Sequence, residues 1–187
     1  MTASELSGGF AVAAWDGAHA FRAVLNAMAR PGTIVALSAA TGPEPISVAA
    51  ATVLLTLCDR TTPLHLAGDH DNAALRTWIA FHCAAPIVAA QDAAFALGRW
   101  DALQPLDRFA IGTPEYPDRA ATLIIDNHDF EGMPARLTGP GIRGTAALAL
   151  PDARAFVANH ARFPLGWDAI LTSGRHLAAL PRSTEIR

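Results

Sequence analysis

Phe21, Val24, Leu25 and Met28 recur at i, i+3, i+4 and i+7, the spacing that lays one apolar face along a helix. Arg22, Asn26 and Arg30 recur at i, i+4 and i+8 and form a separate polar stripe. Pro31-Gly32 stops this helix, because proline lacks the N–H and pushes its predecessor out of the α region. Thr33–Leu37 follows as a β-branched run, short enough for a buried strand. The same order returns twice. Ala51–Asp59 is an apolar helical run closed by Thr61-Thr62-Pro63 and the strand-like Leu64-His65-Leu66. Ala73–His82 is another, closed by Cys83–Pro86 and then Ile87-Val88. Helix, proline and strand in three successive units predict an α/β fold with helices laid on a central sheet.

The first helix is expected over Gly17–Arg30, with residues 1–16 a loosely ordered arm. Ser47 is placed to cap the second helix, and Asp71 or Asn72 the third. A short strand is expected near Phe95 and a helix over Trp100–Phe109, with a surface loop over Gly112–Arg119. The second half reads as more β-like. Ala121–Asp126 and Ala135–Thr138 are strands, Pro151-Asp152 opens a helix, and Trp167–Thr172 with His176–Leu180 forms a hairpin. Pro181–Arg187 is a polar tail. At 187 residues, 1–187 is expected to be one domain.

Composition narrows the chemistry. Net charge is −3, with no block of like charges to attract nucleic acid or an anionic membrane surface. No apolar run reaches the ~18–20 residues of a bilayer span. The N-terminus carries acid and no base before its first apolar residues, unlike a signal peptide. Cys58 and Cys83 lie in apolar surroundings and read as buried thiols in a reducing cytosol.

All 14 basic residues are arginine. No side chain can form a Schiff base with pyridoxal phosphate, and no Walker-type phosphate loop can exist. An anion site must use the guanidinium fork, backbone N–H groups or histidine.

Gly139-Pro140-Gly141-Ile142-Arg143-Gly144 spells a dinucleotide fingerprint. Only Thr145–Leu150 separates it from Pro151, too little for the helix that fingerprint needs. A strand-to-strand loop is the better reading, with Gly139 and Gly141 in a backbone nest for a phosphate oxygen as the functional alternative. His128-Asp129 with Glu131, and Asp69-His70-Asp71, lack the spacing of a metal site and read as solvated turns; no metal is expected. His82 reads as a helix-end histidine that caps carbonyls. Arg22, Arg136 and Arg182 stand at a helix start, before the glycine loop and after the terminal hairpin. They are the anion-binding candidates, expected to converge at least in part on one pocket. No catalytic residue can be named.

FRAVLNAMARPGTIVAL (21–37), ATVLLTLCDRTTPLHL (51–66), FHCAAP (81–86), PE with ATLII (114–125), ARLTGPGI (135–142) and FPLGWDAILTSGRHLAALPRST (163–184) resemble, in order, the PhnH subunit family of the bacterial carbon–phosphorus lyase system. The terminal FPLG…DxILT…ALPR block and the MxxPG junction are its most specific parts. The loop between Glu115 and Ala120 is longer than the family's, and the turn at Phe130–Met133 has one glycine where two are common. The resemblance implies a three-layer α/β fold, with a central mixed sheet flanked by helices. That is the large domain of pyridoxal-phosphate (PLP)-dependent transferases without the cofactor site, so no cofactor is expected. It further implies a cytoplasmic homodimer that joins PhnG, PhnI and PhnJ and supports formation of alpha-D-ribose 1-methylphosphonate 5-triphosphate from ATP and an alkylphosphonate, displacing adenine. ATP and the phosphonate are then substrates of the complex and candidate ligands of the chain. A scaffold that binds no small molecule and a stand-alone phosphate-ester enzyme remain the alternatives.

Overall fold

The computed structural model describes residues 6–37 and 39–187. Helix α1 (Ala13–Ala29) leads to strand β1 (Val35–Ala36), α2 (Val48–Leu57), β2 (Leu64–Leu66) and α3 (Ala73–His82). Then come β3 (Phe95–Gly98), a single turn α4 (Trp100–Leu103), β4 (Thr122–Ile125), β5 (Pro134–Thr138) and β6 (Ala146–Ala149). Helix α5 (Ala153–His160), β7 (Asp168–Ser173), β8 (His176–Leu180) and β9 (Glu185–Ile186) complete the chain.

Six strands form one mixed sheet in the order β1-β8-β7-β4-β3-β2. β2, β3, β4 and β7 are mutually parallel, and β8 runs against both β7 and β1. The side-chain alternation of a strand sorts the sheet into two faces. Leu66, Leu97, Ile124 and Ile170 meet α1, α2 and α3 in one core. Ala96, Leu123, Ile125 and Leu171 point the other way, against Leu137, Leu148, Phe156 and Trp167. That second face is covered by α5 and by a three-stranded antiparallel sheet, β6-β5-β9. The fold is thus α/β with a central mixed sheet, and its second cover is as much sheet as helix.

The caps fall where the sequence placed them. Ser47 Oγ accepts from Ala50 N, and Asn72 Oδ1 accepts from Leu75 N. The glycine-rich stretch at 139–144 joins β5 to β6 as a hairpin, as its short downstream segment required.

The helix expected over Trp100–Phe109 is only the single turn α4, followed by a short turn at Leu106–Arg108, because Pro105 stops it. Four further expectations change. The first is the phase of α1, whose buried positions are Ala20, Val24 and Ala27. Phe21 and Leu25 are 52% and 55% exposed, and Met28 is half-buried. Small alanines let the helix lie close to its neighbours, so bulk alone misreported the inward direction by about one position. Second, the helix starts at Ala13, inside the stretch read as an arm. Leu6 and Ser7 are also tied down, their carbonyls accepting from His82 Nε2 and Trp78 Nε1; residues 1–5 lie outside the described residues. His82 therefore holds the preceding segment rather than capping its own helix. Third, β1 is an edge strand with exposed Ala36, not a buried one. Fourth, Glu185–Ile186 of the expected polar tail pairs with β5, because Ile186 fills the second core.

Candidate functional site

In an open α/β sheet, ligands bind beyond the carboxyl ends of parallel strands, where neighbouring connections leave toward opposite faces. Here β2 exits toward α3 on the first face, whereas β3 exits into α4 on the second. Between and beside these exits lies a cleft of about 300 Å³ lined by Arg99, Trp100, Asp101, Ile125, Asp126, Asn127, His128 and Asp129. Arg99 directly follows β3, and Asp126 directly follows β4.

Asp126 is the anchor of this end of the sheet. Its Oδ2 accepts from the backbone N of Ser47 at 2.9 Å and from His70 Nε2 at 3.0 Å. Its Oδ1 accepts from Thr172 Oγ1 and from the backbone N of Asn127, both at 2.8 Å. His70 and Thr172 are fully buried and Asp126 is 1% exposed. Burial alone would raise the carboxyl pKa. The donors from His70, Ser47 and Thr172 outweigh it, so the net pKa falls below the ordinary aspartate value. The carboxylate also faces the N-terminus of α2, where the helix dipole favours negative charge.

An ionised carboxylate only accepts, so the proton between it and His70 sits on Nε2. His70 Nδ1 is buried without a hydrogen-bond partner among the described residues.

The loop after Asp126 is built around this anchor. Asn127 has a positive φ of 59° and donates from Nδ2 to the Pro45 carbonyl, a conformation that asparagine tolerates better than most residues. His128 is nearly buried, with Nε2 3.0 Å from the Ala149 carbonyl. A carbonyl only accepts, so Nε2 carries the proton there. Asp129 Oδ1 accepts from Glu131 N. Trp100 stacks on Phe156 with centroids 5.7 Å apart, closing one wall. Arg99 is exposed and, among the described residues, its guanidinium meets no carboxylate or carbonyl. At Gly98 an added Cβ would crowd Ala67 Cβ at 2.9 Å, so glycine lets β2 and β3 close up beneath the cleft.

Both turn histidines read as solvated are therefore interior groups. His70 belongs to a helical turn that packs down onto β3. His128 is drawn under the loop by its bond to β6. The signal for them is positional: Asp126 ends the ATLIID strand, and His70 and Arg99 each stand within four residues of a strand's end. Among the described residues, no group of three or more His, Cys, Asp or Glu side chains is placed to hold a metal ion.

The three arginines singled out by sequence lie elsewhere. Arg22 is exposed on α1, over the first face of the sheet. Arg136 is exposed on β5, over the second face, and its backbone pairs with Arg187. Arg182 follows β8 and is taken up internally: Nε and Nη2 reach Asp168 at 3.1 and 2.6 Å, and Nη1 reaches the Pro117 carbonyl at 2.6 Å. No hydrogen bond or ion pair joins any two of them. Gly139 and Gly141 both have positive φ, and a Cβ on Gly141 would run into the Ala29 carbonyl. That glycine lets the hairpin tip dock on the end of α1.

Burial raises the pKa of both thiols. Cys83 and Asp59 push Cys58 further up, whereas for Cys83 a hydrogen bond from Ala85 partly opposes the shift. Neither has the thiolate character of a nucleophile.

The model of the family described as bacterial phosphonate metabolism protein (PhnH) matches residues 8–187. The alpha-D-ribose 1-methylphosphonate 5-triphosphate synthase subunit PhnH of Rhizobium meliloti (strain 1021) is 39% identical, over 100% of this chain and 98% of that protein. A putative C-P lyase subunit protein, HtxG of Stutzerimonas stutzeri, is 33% identical over 89% of this chain and 84% of its own. The same fold elements, from the arm at residue 8 to β9, thus fall inside one family match, and the chain belongs to the PhnH family of bacterial phosphonate metabolism proteins.

Proposed function

We propose that the chain is a subunit of the carbon–phosphorus lyase system, supporting formation of alpha-D-ribose 1-methylphosphonate 5-triphosphate from ATP and an alkylphosphonate with loss of adenine. The observation that carries this reading is the end-to-end match to a subunit named for that synthase. The proposal gives catalysis to the assembly and a supporting role to this chain. In its cleft the Asp126 carboxylate is already occupied by four donors, and both thiols are held protonated.

Its partners in this reading are a second copy of the chain and the PhnG, PhnI and PhnJ subunits, in the cytoplasm. Phe21 and Leu25 stand one turn apart and half exposed on α1, lining an apolar groove with Met28 and Leu57, the kind of patch that assembly covers. No helix among the described residues is long and apolar enough to cross a membrane.

The mixed sheet is compatible with a fold like the large domain of PLP-dependent transferases with the cofactor site lost, which is part of this reading. Absence of lysine supports the loss. With the α-amine blocked, pyridoxal phosphate should give no imine band and no borohydride-trapped adduct; an adduct on a side chain would overturn it.

The deciding experiment is purification of the tagged chain from phosphate-starved cells of its own host. Stoichiometric co-elution with the three other subunits is expected. A monomer recovered with none of them would overturn the proposal.

A further inference from the structure

We propose that the cleft beyond β3 and β4 binds a phosphorylated five-carbon sugar, with Arg99 on the phosphoryl group and Asp129 on sugar hydroxyls. This identification rests on the complex reading above, because that reading brings a phosphorylated ribose to the chain.

The argument starts from which groups are free. Asp126 lines the cleft, but four internal donors saturate its carboxylate, so it shapes the floor rather than greeting a ligand. What remains is one guanidinium, Arg99, and the carboxylates of Asp101 and Asp129. Asp129 uses one oxygen on Glu131 N, and its other oxygen has no hydrogen bond among the described residues. His128 lines the cleft as well, held by its Nε2 bond to the Ala149 carbonyl.

A bare anion would meet Arg99 but be repelled by two carboxylates. A neutral polyol would satisfy the carboxylates and leave the guanidinium unmatched. A ligand with an anionic end and several hydroxyl donors answers both. A guanidinium takes phosphoryl oxygens in a bidentate fork. A carboxylate beyond the carboxyl end of a parallel strand is a recurring acceptor for ribose hydroxyls in α/β sheets. The volume, about 300 Å³, is at the small end of the usual ~300–1,000 Å³ range for ligand pockets. That size suits one sugar ring with its phosphate.

The floor is rigid enough to hold such a ligand in register. Asp126 ties together the start of α2, the turn carrying His70, and β7 through Thr172. Trp100 is fixed by its stack on Phe156.

The test is calorimetric titration of ribose 5-phosphate, inorganic phosphate and ribose into the isolated chain and into the co-purified complex. Wild type should bind ribose 5-phosphate at least tenfold more tightly than either fragment. Arg99→Ala should weaken it at least tenfold, and Arg99→Lys should recover only part of that loss. Asp129→Asn should weaken ribose 5-phosphate at least fivefold without weakening inorganic phosphate. Circular dichroism and thermal midpoints should be unchanged, since both side chains stand at the surface of the cleft. Inorganic phosphate bound as tightly as the sugar phosphate, full affinity in Arg99→Ala, or no binding in either setting would overturn the site. Co-elution of the same variants reads the complex separately. Wild-type chain that binds ribose 5-phosphate yet never enters the assembly would sink the complex reading and keep the site. Assembly without sugar-phosphate binding would do the reverse.

Discussion

His70 Nε2 donates to Asp126 Oδ2 at 3.0 Å, joining two buried residues 56 positions apart in the chain. The bond fastens the exit of β2 to the exit of β4, the two strands that flank β3. Because the same carboxylate also receives Ser47, Thr172 and Asn127, one side chain sets the geometry of four segments.

Asp126→Asn should therefore be costly despite its similar shape. The amide nitrogen would face donors on whichever side it turned, leaving buried N–H groups unmatched. A loss of about 2–4 kcal/mol is expected in urea unfolding. A loss below ~0.5 kcal/mol would mean the network contributes no net stability.

The same carboxylate makes a pH prediction. Its folded pKa lies below the ordinary aspartate value, so the unfolded chain takes up this proton first as pH falls. The stabilisation is complete above an unfolded value of about 4 and is lost as pH drops through the lower folded value. Thermal midpoints of wild type should fall more steeply than those of Asp126→Asn as pH is lowered from 5 through this window. Parallel curves would contradict the assignment.

On α1, Leu25→Glu should change monomer stability by less than about 0.5 kcal/mol, the usual range for an exposed position. It should sharply reduce self-association and recovery with the other subunits, read by light scattering and co-purification. Leu54→Ala, at a fully buried position of α2, should cost about 2–5 kcal/mol. An equal cost at both sites would mean that Leu25 is core.

Arg182→Ala removes both guanidinium bonds to Asp168 and the one to Pro117, leaving only the backbone N bond to Asp168. With the pair only 12% and 19% exposed, a loss of roughly 1–3 kcal/mol is expected from chemical unfolding. Arg182→Lys should restore less than half, because an ammonium cannot span three acceptors. Full recovery with lysine would reduce the interaction to its charge.

Legibility followed the range of the interactions. Local rules gave the helices, their caps at Ser47 and Asn72, and the β7–β8 hairpin, since periodicity and turn residues act within a few positions. The glycine-rich stretch was correctly separated from a nucleotide fingerprint by counting the residues before Pro151. Misreadings came where tertiary contacts decide. In α1, Ala20, Val24 and Ala27 are buried while the bulky Phe21 and Leu25 stay half exposed along a groove that borders the sheet, because close helix approach favours small side chains. Ile186 looks like part of a tail until a second core is there to receive it. The site was the least legible part. Asp126, His70 and Arg99 are unremarkable where they stand in the chain and meet only through strand order, which no local pattern reveals. Arg182 looked like a free cation because Asp168 lies on a neighbouring strand.

Strand β1 finds its partner at the opposite extreme of the chain: Val35 pairs with Leu177, and α1 packs on the same strand, β8. Helix α1, made well before β8, thus lacks the strand it packs on until β8 has been made. At about 5–20 residues per second, the intervening ~140 residues leave the side that meets β8 uncovered for roughly 7–30 seconds on the ribosome, although α2 joins the helix earlier. Such distant pairing also slows refolding, because a large loop must close before the contact rewards it. The nascent protein is therefore most exposed to misassociation through the surface its finished sheet later hides, and a partner or chaperone that shields α1 in that interval would raise its yield without changing its stability.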